Sequence, residues 1–264
     1  MTRGDLTSSQ YDPLTKRAGY YRVRCSQFLR DMAEGLSPAT TVLDVGCGRF
    51  DYRQLFRRQR YIRLDINVAY PGLDCVADVN KLPFADQCVD TVLANNLLEH
   101  VNTPHLLLAE VHRVLKPGGK LYVLVPFFTH IHQAPMDFFR YTKYGLASLF
   151  EQAGFTQLSL ESVGGLFAIQ SYLIGVCFRR VFEMLSQKRG GRVLVKVLQP
   201  LWSRCFYYLV LPLFSRLDRL DPHDDYALGY FSVVQKSEEC GSPAVASDRD
   251  RTLTPVRSTV SAVL

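Results

Sequence analysis

The residues with the most chemical content sit where apolar runs stop. Val42-Leu43-Asp44-Val45 runs into Gly46-Cys47-Gly48-Arg49-Phe50-Asp51. Two glycines at that point let the backbone approach a ligand closely. Asp44, just before them, is placed to hold an ammonium group, directly or through water. Asp65 closes the next apolar run, where a carboxylate can accept both hydroxyls of a ribose. Asp78 closes a third, ahead of Val79-Asn80-Lys81-Leu82-Pro83-Phe84, and can accept from an exocyclic adenine amine. Asn95 and Asn96 close a fourth.

A dinucleotide fingerprint needs GxGxxG, its third glycine letting helix and strand pack closely. Here Phe50 stands where such turns often carry another glycine. The sixth position is Asp51, whose charge is unwelcome beside a pyrophosphate. The carboxylates suit a ligand with an amine, a ribose and adenine but no phosphate, which describes S-adenosylmethionine. A nicotinamide-dependent oxidoreductase is disfavoured on the same grounds.

Elements must bring these ends together. Strands are expected at 41–45, 61–66, 75–78, 89–94, 120–125, 156–161 and 228–234, with helices at 52–58, 105–115 and 143–153. Lys116-Pro117-Gly118-Gly119 is a stop signal for the second of these helices. Strands alternating with helices imply an α/β fold with a parallel, doubly wound, seven-stranded Rossmann-like sheet. In such sheets ligands sit beyond the carboxyl ends of the strands, where the chemical residues fall. Residues 1–40 read as an approach segment with a helix over 20–35, apolar at Val23, Phe28, Leu29 and Met32. Residues 41–236 form the main domain, interrupted at 163–217 by an apolar, basic helical insertion. Residues 237–264, rich in Ser, Thr, Pro and charge, read as a flexible tail.

Residues 40–160 resemble class I S-adenosylmethionine-dependent methyltransferases of the small-molecule type. The matching stretches are VLDVGCG, the strand end at Asp65, DVNKLPFADQCVDTVLANNLLEHV (78–101) and EVHRVLKPGGKLYVLVP (110–126). HQAPMDFFRYTKYGLASLFEQAGF (132–155) resembles a bacterial branch associated with sugar and cell-envelope biosynthesis. The resemblance implies that Asp44, Gly46 and Gly48 meet the methionine end of the cofactor and Asp65 its ribose. Asp78 and Val79 would read the adenine, with Leu82 nearby, and Asn95 would close the methionine side. It also implies transfer to an oxygen of a small or lipid-linked saccharide-like acceptor.

Methyl transfer from a sulfonium is an in-line displacement, in which positioning supplies much of the catalysis. A base is needed only where the acceptor must lose a proton. Glu99, His100, His130, His132 and Asp137 are the candidates, with His132 and Asp137 preferred as catalytic and Arg140 as the binder of an anionic substrate group. The competing reading has Asp137, Arg140 and Thr142 bracing the loop and capping the next helix; for Glu99-His100 a structural role, ending the helix after the fourth strand, is favoured. No metal is expected, because His130 and His132 lack an evident third ligand.

The net charge is +6, too modest to point to nucleic acid, and seven isolated cysteines fit a reducing cytoplasm better than a disulfide framework. No stretch of the insertion is a clean bilayer span. Its apolar runs are bordered by Arg179, Arg180, Lys188, Arg189, Arg192, Arg204, Arg216 and Arg219. That pattern suits helices lying on an anionic membrane surface, peripheral on its inner face, or a cap packed on the sheet. A non-catalytic Rossmann-like binding module or membrane-associated scaffold is the competing functional reading, with Phe50 its best support.

Overall fold

The computed structural model describes residues 20–188 and 190–238. Its strands are β1 (Thr41–Val45), β2 (Arg60–Asp65), β3 (Cys75–Val76), β4 (Val89–Asn95), β5 (Leu115–Pro126), β6 (Phe155–Val163) and β7 (Gly229–Lys236). They form one sheet in the order β3-β2-β1-β4-β5-β7-β6. The helices are α1 (Tyr20–Gly35), α2 (Pro104–Val114), α3 (Lys143–Gln152), α4 (Leu166–Ser186), α5 (Gly191–Cys205) and α6 (Leu211–Asp218).

Both faces of the sheet are covered, so its central strands are buried along nearly their whole length, as their continuous apolar runs require. On one face Leu107, Leu108 and Val111 of α2 and Leu146 and Phe150 of α3 pack on Val92, Leu121 and Val123. On the other, Cys25, Leu29 and Met32 of α1 pack with Tyr52 and Phe56 on Leu93, Leu124 and Phe231. Val23 does not join them and is 46% exposed.

Three sequence expectations are corrected. The sheet is mixed, because β7 runs antiparallel to both β5 and β6. Val163, the last residue of β6, pairs with Gly229, the first of β7, and the Leu228 N–H donates to the Val163 carbonyl at 2.9 Å. The insertion therefore leaves and re-enters the sheet at one edge, which forces the returning strand to reverse. The helix expected at 52–58 is a series of turns. Asp51 accepts the Arg53 N–H at 2.9 Å, a local side-chain bond that competes with the first turn of a helix. Finally, Lys116-Pro117-Gly118-Gly119 ends α2 but lies inside β5. The register against β4 jumps there from Val89↔Leu115 to Thr91↔Lys120.

The insertion builds a helical cap. Asp218, at the end of α6, accepts the N–H groups of Gly165 (2.7 Å), Phe167 (3.1 Å) and Ala168 (3.1 Å). A carboxylate thus satisfies the open donors at the start of α4. Trp202 of α5 stacks on Phe178 of α4 with ring centroids 3.5 Å apart. No helix among the described residues is long and apolar enough to cross a membrane. Of the tail expected at 237–264, residues 239–264 lie outside the described residues.

Candidate functional site

A cavity of about 1780 Å³ opens at the carboxyl ends of β1, β2, β3 and β4. Gly46, Gly48, Asp65, Asp78, Val79 and Asn95 all line it, as does His132 on its far side. Sequence reasoning placed these residues together because strand ends converge in a doubly wound sheet. α1 closes one side and the α4–α5 cap closes the top.

The glycine turn is shaped by backbone needs. Gly46 and Gly48 have φ of +63° and +59°. The Gly48 N–H donates to Asp65 Oδ2 at 2.9 Å, and Asp65 Oδ1 accepts from Asn67 N–H at 2.9 Å. Asp65 thus ties the turn after β1 to the end of β2 and still holds lone pairs for a ligand. A Cβ on Gly46 would lie 2.4 Å from Leu97 Cδ1, whereas one on Gly48 would meet nothing within 4 Å. Gly46→Ala is expected to cost about 2–4 kcal/mol in denaturant unfolding and Gly48→Ala only about 1 kcal/mol. The reverse order would contradict this packing.

Arg63 is the residue sequence reasoning missed. It is 1% exposed, inside β2. Its Nη2 donates to the carbonyls of Gly48 (3.1 Å) and Phe50 (3.0 Å), and its Nη1 to those of Pro71 (2.8 Å) and Gly72 (3.1 Å). One guanidinium thus fixes the glycine turn against the turn before β3. The signal was present: an arginine inside a buried strand must find partners. Phe50 lines the cavity beside Tyr52, their rings stacked 6.2 Å apart, with its backbone held by Arg63. It is a wall of the cavity and does not obstruct the turn.

Asp44 departs from its expected place. It is 1% exposed and does not line the cavity. Tyr61 donates its hydroxyl to Oδ2, and Oδ1 has no hydrogen-bond partner. Strand alternation turns it beneath the glycine turn, away from a direct ligand contact. Burial pushes its carboxyl up to about 7, against the opposing pull of the Tyr61 hydroxyl and Arg63. The folded state therefore binds this proton more tightly than the unfolded chain. The resulting stability is fully present below about pH 4 and is lost as pH rises through about 7. Wild-type stability should fall between about pH 4 and 7, and Asp44→Asn should flatten that slope. Equal slopes in thermal unfolding across pH would contradict it.

On the far side, the 3-10 turn Leu98–His100 and the loop after β5 meet. Arg140 does not face the cavity: it donates to Asp137 at 2.6 and 2.8 Å and to the Phe139 carbonyl at 2.7 Å. Asp137 does not line the cavity either, its side chain being 1% exposed. Arg140 holds its carboxyl well below the usual range. The assignment of Arg140 to a substrate anion is thus corrected, because its charge is already spent on Asp137. Thr142 caps α3 by accepting the Gly145 N–H at 3.0 Å. Asp137 also accepts the His132 N–H at 2.8 Å and lies 3.4 Å from its Nδ1. His132 is thereby braced with its other nitrogen toward Glu99, 4.0 Å from Oε1. His130 is engaged by the Tyr172 hydroxyl of the cap.

Residues 43–123 match a family described as methyltransferase domain. Over that third of its length the chain is similar to methyltransferase domains. Two curated relatives are similar to part of the chain. A ubiquinone/menaquinone biosynthesis C-methyltransferase from Desulfotalea psychrophila is 37% identical over 102 residues, covering 33% of this chain and 41% of the relative. A demethylmenaquinone methyltransferase from Renibacterium salmoninarum is 35% identical over 130 residues, covering 44% of this chain and 53% of the relative. The chain thus spans about half or less of the length of these relatives. Among solved structures, the cyclase SpnF superposes with a TM-score of 0.53 at 18% identity, covering 84% of each chain. That likeness is one of fold.

Proposed function

We propose that this chain methylates an oxygen of a small or lipid-linked, saccharide-like acceptor, with S-adenosylmethionine as donor. One observation carries the reading. The glycine turn and the strand-end carboxylates open on the same cavity as three histidines, His100, His130 and His132, and an aromatic cap. The cofactor supplies a methyl group on a cationic sulfonium. Gly46 and Gly48 leave open the space that side chains would narrow. Asp65 takes the ribose, Asp78 and Val79 the adenine, and Asn95 the methionine end. Asp44 acts from beneath the turn. Tyr172, Trp202 and Phe206 of the cap offer flat faces to a sugar ring or lipid chain, and Arg179 a cation for a linking phosphate. His132, oriented by Asp137, takes the acceptor's proton.

A second reading draws on the two relatives, whose names state carbon methylation in quinone biosynthesis and methylation of demethylmenaquinone. The purified chain should be incubated with methyl-labelled S-adenosylmethionine and fractionated cell extract. Oxygen-bound label in a saccharide or lipid-linked fraction is the expected result. Carbon-bound label would favour the second reading. Absence of label despite cofactor binding would overturn both and leave a binding module.

The cap's outer face supports a lipid-linked acceptor. Val193, Val197 and Leu201 repeat along α5 and are 70%, 59% and 58% exposed. Arg192 and Lys196 lie beside them. Such a stripe suits the interface of an anionic membrane. The chain should co-sediment with anionic vesicles, less so as salt rises from about 0.05 to 0.5 M. The Val197→Asp/Leu201→Asp double variant should stay in the supernatant. Equal sedimentation of variant and wild type would contradict the assignment of this face.

A further inference from the structure

We propose that Glu99, His100 and His132 form a binding site for one divalent first-row transition-metal ion. Glu99 is fully buried, yet neither of its side-chain oxygens has a hydrogen-bond partner. A buried carboxylate left so is costly unless something else satisfies it. Two imidazole nitrogens stand near it: His100 Nε2 at 3.7 Å and His132 Nε2 at 4.0 Å from Oε1. Both are too far to be hydrogen bonds. One ligand atom from each of the three residues lies within 4.8 Å of the others.

The surroundings set the two rings for coordination. His100 Nδ1 lies 2.5 Å from the Met136 carbonyl, which takes a proton from it and leaves a lone pair on Nε2. His132 Nδ1 faces the His130 carbonyl at 3.2 Å and Asp137 at 3.4 Å, which do the same for that ring. Carbonyl or carboxylate partners on the outer nitrogen are what orient metal-binding histidines. Arg140, 3.4 Å from His132 Nδ1, is neutralised by Asp137. Gln133 donates its amide to His100 Nε2 at 3.1 Å. Rotation of that amide would free the nitrogen and bring its oxygen to the same point.

Ligand atoms around an ion held at roughly 2.1 Å lie about 3.0–3.4 Å apart, so modest side-chain rotation closes the site. Two neutral imidazoles and one carboxylate suit Mn²⁺, Fe²⁺, Co²⁺ or Zn²⁺ better than Mg²⁺ or Ca²⁺. His100 and His132 line the cavity that holds the strand-end carboxylates. If the methyltransferase reading above holds, on which this consequence rests, the ion would bind the acceptor's oxygen and ease loss of its proton to water. His132 would then be a ligand and not the base.

The test uses the full, untagged chain, stripped with chelator and dialysed against Zn²⁺, Mn²⁺ or Mg²⁺, with metal measured per chain. One Zn²⁺ or Mn²⁺ per chain is expected, held at least about 10-fold more tightly than Mg²⁺. Glu99→Gln and His132→Asn should each weaken it by about 100-fold or more. Glu99→Gln keeps the side-chain volume and removes a buried charge, so thermal unfolding checks that the variant folds. No ion retained by the wild type, or retention unchanged in both variants, would overturn the site. S-adenosylmethionine binding is measured on the same samples. Its loss with the ion retained counts against the function and not the site; the opposite result counts against the site and leaves His132 as base.

Discussion

Asp65→Ala is expected to weaken S-adenosylmethionine binding by at least about 100-fold, read by calorimetric titration. The carboxylate has two tasks in one place. It accepts the N–H groups of Gly48 and Asn67 at 2.9 Å each, which shapes the turn. Its remaining lone pairs face the cavity, where the ribose hydroxyls would donate. Two hydrogen bonds to a charged acceptor, at about 1.5–3 kcal/mol each, correspond to that loss. Removing the acceptor also leaves two backbone donors without a partner and should cost about 1–3 kcal/mol of stability. Asp65→Asn retains one carbonyl oxygen for Gly48 and should fall between wild type and alanine. Unchanged affinity in Asp65→Ala would place the cofactor elsewhere.

Arg63→Met should have the larger effect on stability. Methionine fills the channel but donates nothing. The carbonyls of Gly48, Phe50, Pro71 and Gly72 lose their donor together. The positive charge near Asp44 and Asp51 goes with it. Breaking a buried charge network of this kind costs about 3–5 kcal/mol. For a domain of this size that lowers the melting temperature by roughly 10 °C. Cofactor affinity should fall as well, since the turn is no longer pinned. Arg63→Lys should not rescue it, because an ammonium cannot reach two turns with a planar fork. A melting temperature within about 2 °C of wild type would show that water satisfies those carbonyls.

Both effects lie where reading the sequence was strongest and weakest. The strand ends were legible because apolar runs that stop in glycine, aspartate or asparagine mark where buried strands meet solvent. Seven strands and the position of the insertion follow from the same pattern. Arg63 was legible only as an arginine inside a buried strand; its partners, main-chain carbonyls from two separate turns, leave no side-chain trace. Tyr52 and Phe56 carry a helix-like spacing, but the Asx turn at Asp51 diverts the chain. The reversal of β7 depends on where the insertion returns, which its composition does not encode. Reading the sequence put His132 and Asp137 in one loop as catalytic candidates and gave Arg140 to a substrate anion. The bidentate pairing that withdraws Arg140 from the cavity is a geometric fact that spacing alone could not supply. Glu99 was read as structural, ending a helix after the fourth strand; it lies instead in a 3-10 turn that buries it completely.

The most direct test of the account is a calorimetric titration of the purified chain with S-adenosylmethionine, its demethylated product, and a nicotinamide dinucleotide. The account predicts one site per chain for the first two, both weakened by Asp65→Ala, and no heat from the dinucleotide. Binding of the dinucleotide in place of S-adenosylmethionine, or no binding of S-adenosylmethionine at all, would contradict it.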